Sequence, residues 1–223
     1  MRKILPSITT TWNSNWQAKI EEINKLGLKE IALFPTCLNK KEREKMYKLL
    51  ENSTVKSIPL VHIKNDMAPE ELDYLIKKFH TRVFNIHTYS EFPHLYNYSK
   101  HKKMIFIENV YGPIDEKEIK KFGGICLDLA HLENDRLREP EKFRHNIELI
   151  EKYPIGCNHI SAFQKILRRD PAGYWRYDCH FLRKLSQLDY LKKYPKKYFS
   201  SIIALELENS IEEQLKAKDY ITN

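Results

Sequence analysis

The sequence predicts one parallel (β/α)₈ TIM barrel that spans residues 1–223 as a single domain. Short apolar runs rich in β-branched residues alternate with amphipathic stretches along the whole chain, which is typical of successive βα units. The strand-like runs number eight, as such a barrel requires. With 42 % hydrophobic and 30 % charged residues, the chain is typical of a globular protein that buries a core. A doubly wound open sheet is the structural alternative.

Each predicted strand is a short apolar run, and several of these runs end in a polar residue. In chain order the runs are ILPSITT, EIALFP, SIPLVH, RVFNIH, MIFIEN, GICLDL, GCNHIS and SIIALELEN. Between them, apolar residues at helical spacing predict helices over 16–27, 39–53, 68–79 and 139–153. Gly27 is expected to end the first of these helices, and Pro69 and Pro140 stand in the first turns of the last two.

Composition narrows the class of protein. No apolar run approaches the roughly 20 residues that span a bilayer, and the first residues lack the apolar stretch of a secretory signal. We therefore expect no membrane partner and a cytoplasmic location. The four cysteines form no C-x-x-C pair, so we expect them to be reduced, with Cys126 and Cys157 in buried strands. A net charge of +8 fits either polyanion binding or a lysine-rich helix surface.

Metal-capable side chains stand where the predicted strands end, and in a parallel barrel these ends form the active-site face. The residues at the strand ends are His62, His87, Glu108, Asp128, His159 and Glu206. His131 is expected just into the loop after the sixth strand, and Asp178 and His180 in the long segment after the seventh. Glu208 shares a strand face with Glu206 because strand side chains alternate with a period of two. An unpaired buried carboxylate is costly unless a cation or hydrogen bonds compensate it. A shared metal centre therefore accounts for the pattern.

The donor types indicate which metals to expect. Mixed imidazole and carboxylate ligands suit Zn²⁺, Mn²⁺ or Fe²⁺ better than Mg²⁺ or Ca²⁺. Nine candidate ligands exceed the needs of one tetrahedral ion, so we expect two or three ions, with Glu108 or Glu206 as a bridge. A single histidine is more often a surface or core residue. The four remaining histidines, in predicted helices, are interpreted that way, and a chance Asp-x-His is the alternative for Asp178 and His180.

Four short motifs, CLDLAH, FIEN, NHIS and ALELEN, resemble the strand motifs of the xylose isomerase-like barrels. Within that superfamily the ligand inventory is most similar to the endonuclease IV group, AP endonuclease family 2, which has a trinuclear zinc site. The resemblance implies a ligand set, in chain order, of His62, His87, Glu108, Asp128, His131, His159, Asp178, His180 and Glu206. The sugar isomerase branch generally lacks the D-x-H pair, so the string RYDCH discriminates between the branches. Departures are the first strand, ILPSITTTW, the second-strand loop, LFPTCLNKKERE, and HISA in place of H-x-N-D.

Two enzymatic functions follow from the resemblance. The first is a zinc-dependent phosphodiester hydrolase acting on abasic DNA, with Glu108 and Glu206 as catalytic residues. Residues expected to bind phosphate or substrate are Arg168, Arg169, Arg176 and Tyr177, with Tyr174 and Trp175 as stacking partners. The alternative is a sugar or sugar phosphate isomerase or epimerase with one ion, in which Glu108 and Glu206 act as acid and base. A non-catalytic barrel that binds no metal is a third possibility.

Overall fold

A parallel sheet of nine strands closes into a barrel in the computed structural model, which describes residues 2–170 and 173–222. The strands are β1 (Lys3–Leu5), β2 (Ser7–Thr9), β3 (Glu30–Phe34), β4 (Ser57–His62), β5 (Val83–Ile86), β6 (Ile105–Glu108), β7 (Ile125–Asp128), β8 (Ile155–Ile160), the hairpin strands β9 (Ala162–Arg169) and β10 (Trp175–Cys179), and β11 (Ile202–Leu205). All of them except the antiparallel hairpin β9–β10 belong to the barrel.

Closure depends on the first strand position, which is interrupted at Pro6. On one side of Pro6, β1 pairs with β11, and on the other side β2 pairs with β3. Proline has no backbone N–H, but the Pro6 carbonyl still accepts from the Ala32 amide at 2.9 Å. One segment therefore joins both ends of the sheet, so the barrel has eight strand positions. The predicted fold class is confirmed, and the open sheet is excluded.

Seven α-helices lie between or after the strands. They are α1 (Trp16–Lys25), α2 (Lys40–Glu51), α3 (Pro69–Phe79), α4 (Glu116–Lys121), α5 (Leu129–Arg138), α6 (Pro140–Lys152) and α7 (Ile211–Thr222), in the described ranges. The four predicted helices correspond to α1, α2, α3 and α6, and Gly27 follows α1 with a φ of 65°. Of the four other histidines, only His145 is inside a helix. His80 follows α3, and His94 and His101 lie between β5 and β6.

The period of two along each strand explains why polar groups gather at one end of the barrel. The barrel interior holds a small apolar cluster that includes Leu60, Cys126, Cys157 and Ala204. Two residues further along the same strand faces come His62, Asp128, His159 and Glu206. The same strands thus supply an apolar floor and a polar layer above it. A second, larger core packs the outward strand faces against the helices.

Two further features bear on the composition-based predictions. Cys126 and Cys157 are free thiols in buried strands, as expected, and they face each other across the β7–β8 pair. Within residues 2–170 and 173–222, no helix is both long enough and apolar enough to cross a membrane.

Candidate metal centre

Glu108, at the end of β6, lies at the centre of the polar layer. Its Oε2 accepts a hydrogen bond from Asn85 Nδ2 at 2.7 Å and lies 3.0 Å from His62 Nε2. Its Oε1 lies 3.2 Å from His159 Nδ1. The side chains of Glu108 and His62 are only 2 % exposed. The two carboxylate oxygens therefore face different neighbours.

The first donor group consists of His62, His87 and Glu108, whose candidate ligand atoms all lie within 4.8 Å of one another. The Nε2 atoms of the two histidines are 3.1 Å apart, and His87 Nε2 lies 3.7 Å from Glu108 Oε2. His62 Nδ1 lies 3.0 Å from the Ile63 carbonyl, which fixes the ring with Nδ1 as the donor. His62 Nε2 is then directed into the cluster.

The second donor group consists of Glu108, Asp128, His159 and Glu206, also with ligand atoms within 4.8 Å of one another. All four residues are buried. His159 Nδ1 lies 3.1 Å from Glu206 Oε2 as well as near Glu108. The structure therefore brings six of the nine predicted ligands into two groups that share Glu108. Whether these residues bind metal stays a prediction.

Asp128 connects the local fold to this group. Its Oδ1 accepts from the amides of Ala130 and His131 at 2.7 and 2.8 Å and so caps the N-terminus of α5. Its Oδ2 is buried without a hydrogen bond. A buried oxygen without a donor is uncommon in folded proteins, and a cation would satisfy it. The residues of this group thus fit a divalent ion.

The same capping corrects the sequence-based position of His131. We predicted that this histidine stands in a loop after the sixth strand, but it lies in the first turn of α5. The helix begins directly after β7 because the Asp128 carboxylate satisfies the first amides. His131 is consequently held above the cluster, with Nε2 at 3.8 Å from Asp128 Oδ2.

Electrostatics keep most of the cluster carboxylates ionised. Burial opposes charge on Glu108, but His159 and His62 outweigh it and hold its pKa well below the ordinary value. For Glu206, burial is outweighed by His180 and His159, and the pKa is lowered to about 2. Burial raises the pKa of Asp128, with His131 in opposition. The neighbouring imidazoles therefore favour the ionised forms of Glu108 and Glu206.

The remaining predicted ligands do not form a third group. Asp178, on β10, has Oδ2 at 3.0 Å from His131 Nδ1. Arg176 Nε donates to Asp178 Oδ1 at 2.9 Å, and Nη2 lies 2.5 Å from His131 Nδ1. His180 instead faces Glu206, with 3.9 Å between Nε2 and Oε1. In the part of the chain that the structure describes, no group of three donors includes His131, Asp178 or His180.

The predicted substrate-binding residues divide between the cluster and the surface. Arg176 is buried against the cluster, whereas Arg168 and Arg169 are exposed on β9 and Arg169 donates to the Gly173 carbonyl. Tyr177 is half-buried, and its amide donates to Asn134 Oδ1 at 3.0 Å. The sequence was interpreted here as a long segment without strands, but the segment forms the β9–β10 hairpin, whose two strands pair antiparallel with each other.

Glu206, not Glu208, joins the donor groups. The two residues share a strand face by sequence, but β11 ends at Leu205. Strand alternation therefore does not extend to Glu208, which is half-buried and whose amide donates to the His180 carbonyl. The sequence-based choice of Glu206 as a metal ligand stays a prediction.

Three residues of the centre were missed. Asn85 orients Glu108, and its position two residues before His87 was the available signal. Cys126 was interpreted only as a buried strand cysteine, but its Sγ lies within 4.8 Å of donor atoms of Glu108 and His159. Phe34 lies edge-on to the His159 ring, with 4.8 Å between ring centroids. An aromatic residue in an apolar strand gave no sign of this contact.

Aromatic side chains surround the mouth of the centre. Tyr111, in the loop after β6, stacks on Tyr174 of the hairpin with ring centroids 4.1 Å apart. The Arg176 guanidinium lies 5.2 Å from the centroid of Tyr111. Phe92 lies 4.7 Å from the His87 ring, measured between ring centroids. The mouth therefore offers flat apolar surfaces beside charged groups.

Comparisons with solved structures find several proteins to which this chain is similar over nearly its whole length. A probable 3-DHS dehydratase, AsbF, from Bacillus anthracis is 12 % identical with a TM-score of 0.49, over 100 % of this chain and 99 % of that one. A xylose isomerase-like TIM barrel protein from Mycobacterium smegmatis, in complex with magnesium, is 12 % identical with a TM-score of 0.47, over 98 % and 96 %. An AP endonuclease, family 2, from Brucella melitensis is 11 % identical with a TM-score of 0.43, over 96 % and 97 %.

One of these structures is described as a xylose isomerase-like TIM barrel, the superfamily whose strand motifs the sequence resembles. No protein-family model and no curated protein matches it. Identities this low concern the overall fold, so the chemistry has to be inferred from the side chains of this chain.

Proposed function

We propose that this barrel is a divalent-metal-dependent hydrolase that cleaves phosphodiester bonds and holds two ions through Glu108. The strongest support for two ions is that the two oxygens of the Glu108 carboxylate face different donor groups. Oε2 faces His62 and His87, whereas Oε1 faces His159. A carboxylate that belongs to two donor groups suits a pair of ions about 3.5–4 Å apart, the spacing found in two-metal hydrolases.

The donor set favours Zn²⁺, with Mn²⁺ as the other candidate, because imidazole and carboxylate ligands are mixed in both groups. Residues outside the groups fix the ligands in place. Asn85 holds Glu108, and the Ile63 carbonyl holds His62. Partners of this kind orient ligands and raise their basicity.

Ions held by these residues would supply positive charge to the phosphoryl oxygens and make water a stronger acid. The chain itself excludes bulk water from below, where Phe34 covers His159. At the mouth, His87 and His180 are the partly exposed imidazoles, at 23 % and 31 %. His180 Nε2 lies 3.9 Å from Glu206 Oε1, which is longer than a hydrogen bond, so a proton would pass between this pair and the substrate through a water molecule.

The substrate we propose is DNA with abasic sites, which would give the protein a role in DNA repair. The net charge of +8 favours a polyanion. Arg168 and Arg169 are exposed on the hairpin beside Tyr174 and Trp175, each 51 % exposed. Guanidinium groups contact phosphates, and aromatic rings stack on bases or fill the space of a missing base.

A sugar or sugar phosphate isomerase or epimerase is the second candidate. The group of Glu108, Asp128, His159 and Glu206 is complete as a four-ligand site for one ion. His62 and His87 contact each other at 3.1 Å, as two imidazoles do when one donates to the other, and they would then contact substrate. Glu108 and Glu206 would act as base and acid beside a carbonyl group.

A cleavage assay distinguishes the two functions. Zinc-loaded protein is incubated with a duplex oligonucleotide that carries one abasic-site analogue, and with a panel of aldoses and ketoses followed by NMR. We expect strand cleavage that is lost in His62→Ala and kept in His80→Asn, a control at an exposed histidine with a φ of 55° that asparagine tolerates. Sugar interconversion without strand cleavage would replace the hydrolase proposal with the isomerase.

A further inference from the structure

The corner formed by His131 and Asp178 differs from the rest of the centre because a positive side chain already occupies it. His131 Nδ1 and Asp178 Oδ2 lie 3.0 Å apart and are both shielded from solvent. Arg176, on the same hairpin strand as Asp178, reaches both of them. The arginine is itself only 6 % exposed.

We infer that Arg176 is a built-in cation that takes the place of a third metal ion at this corner. The inference rests on the proposed two-ion centre but concerns only the residues that do not fit an ion. A metal ligand must offer a free lone pair, and His131 Nδ1 is already engaged by the Arg176 guanidinium and by Asp178 Oδ2. Arg176 Nε also donates a hydrogen bond to Oδ1 of Asp178, so that this oxygen is not free to bind an ion.

Burial and packing make the arginine a permanent part of the site. A guanidinium stays protonated at every physiological pH, so its charge is fixed. It lies 5.2 Å from the Tyr111 ring centroid, a cation–π distance, and Tyr111 in turn stacks on Tyr174. Arg176 therefore links the hairpin to the loop after β6 as well as to the donor residues. A mobile ion could not make this connection.

The net charge at the mouth of the centre depends on whether the arginine or a third metal ion occupies this corner. Arg176 neutralises Asp178, so that two divalent ions bound by the donor groups would be opposed by three carboxylates, with one excess positive charge. A third divalent ion in place of the arginine would raise the excess to two. The arginine would therefore lower the positive charge that a substrate group meets.

The test is the number of zinc ions per chain, measured by elemental analysis after equilibration with Zn²⁺ and removal of free ion. In Arg176→Met the stem remains but the charge is lost, and we expect one more zinc ion than in the wild type. In Arg176→Lys and in Arg169→Met, an exposed arginine of the same hairpin, we expect no increase. Circular dichroism establishes that each variant is folded.

Adding Asp178→Asn to Arg176→Met locates the extra ion, because the double variant should return to the wild-type number. An unchanged number of ions in folded Arg176→Met, or an extra ion that survives in the double variant, would overturn the inference. The difference in the number of zinc ions per chain between Arg176→Met and the wild type tests the role of Arg176. The absolute number in the wild type tests the two-ion proposal, so the two failures are separable.

Discussion

Replacing Asn85 by alanine should weaken metal binding although Asn85 belongs to neither donor group. Its Nδ2 donates to Glu108 Oε2 at 2.7 Å in a fully buried setting. A hydrogen bond to a charged group contributes about 1.5–3 kcal/mol. Loss of a partner that orients a metal ligand reduces metal affinity by about 10–100-fold, which corresponds to about 1.4–2.7 kcal/mol. The two ranges agree, so we expect a loss within them.

The assay is competition between the protein and a chromophoric zinc chelator, with the number of bound ions measured in parallel. Asn158→Ala is the matched control. Asn158 is equally buried, but its Nδ2 donates to the carbonyls of Leu127 and Tyr198. We expect this control to lower thermal stability and to leave zinc affinity within about twofold of the wild type. Wild-type zinc affinity in folded Asn85→Ala would refute the reasoning that Glu108 binds metal in the orientation seen here.

Three further predictions concern other parts of the barrel. A methyl group at Gly156 would lie 2.1 Å from the Phe106 ring. Gly156→Ala should therefore lower the free energy of unfolding, measured in urea, by about 1–3 kcal/mol or more. A variant as stable as the wild type would contradict this packing. Burial raises the pKa of Asp135 from 3.8 to about 6 against the opposition of Lys142, so the folded state holds a proton that the unfolded state releases. Stability should therefore fall by about 3 kcal/mol as pH rises from about 4 to about 6, and Asp135→Asn should remove this fall; an unchanged pH dependence of urea unfolding would count against it. Glu206→Gln should lower the zinc affinity of the group that contains Glu206 on the order of tenfold or more in chelator competition, while the affinity of the other group is unchanged. An equal loss of affinity for both ions would argue against two separate groups.

The barrel was predictable because its signals are local and repeat along the chain. Each strand is a short apolar run, and each of the four predicted helices shows apolar spacing. The β9–β10 hairpin was missed although the string DPAG, a turn signal, stands between its strands, because QKILRR and WRYDC contain no continuous apolar run. Its strands are stabilised by pairing with each other and by contacts to Tyr111 and His131, which lie far away in sequence.

The candidate site was predictable in part for the same reason. Residues that end strands, such as His62 and Glu108, must meet at one rim once the barrel closes. The sequence could not indicate that Arg176 would take the place of a third ion. That role depends on how close the hairpin lies to α5. Nor could the sequence indicate that Asp128 caps α5 with one oxygen and leaves the other bare.

The number of divalent ions bound per wild-type chain tests the central claim most directly. Zinc-equilibrated protein, freed of excess metal and measured by elemental analysis, should contain two ions, one for each donor group that shares Glu108. One ion per chain, or none, would contradict a two-ion centre.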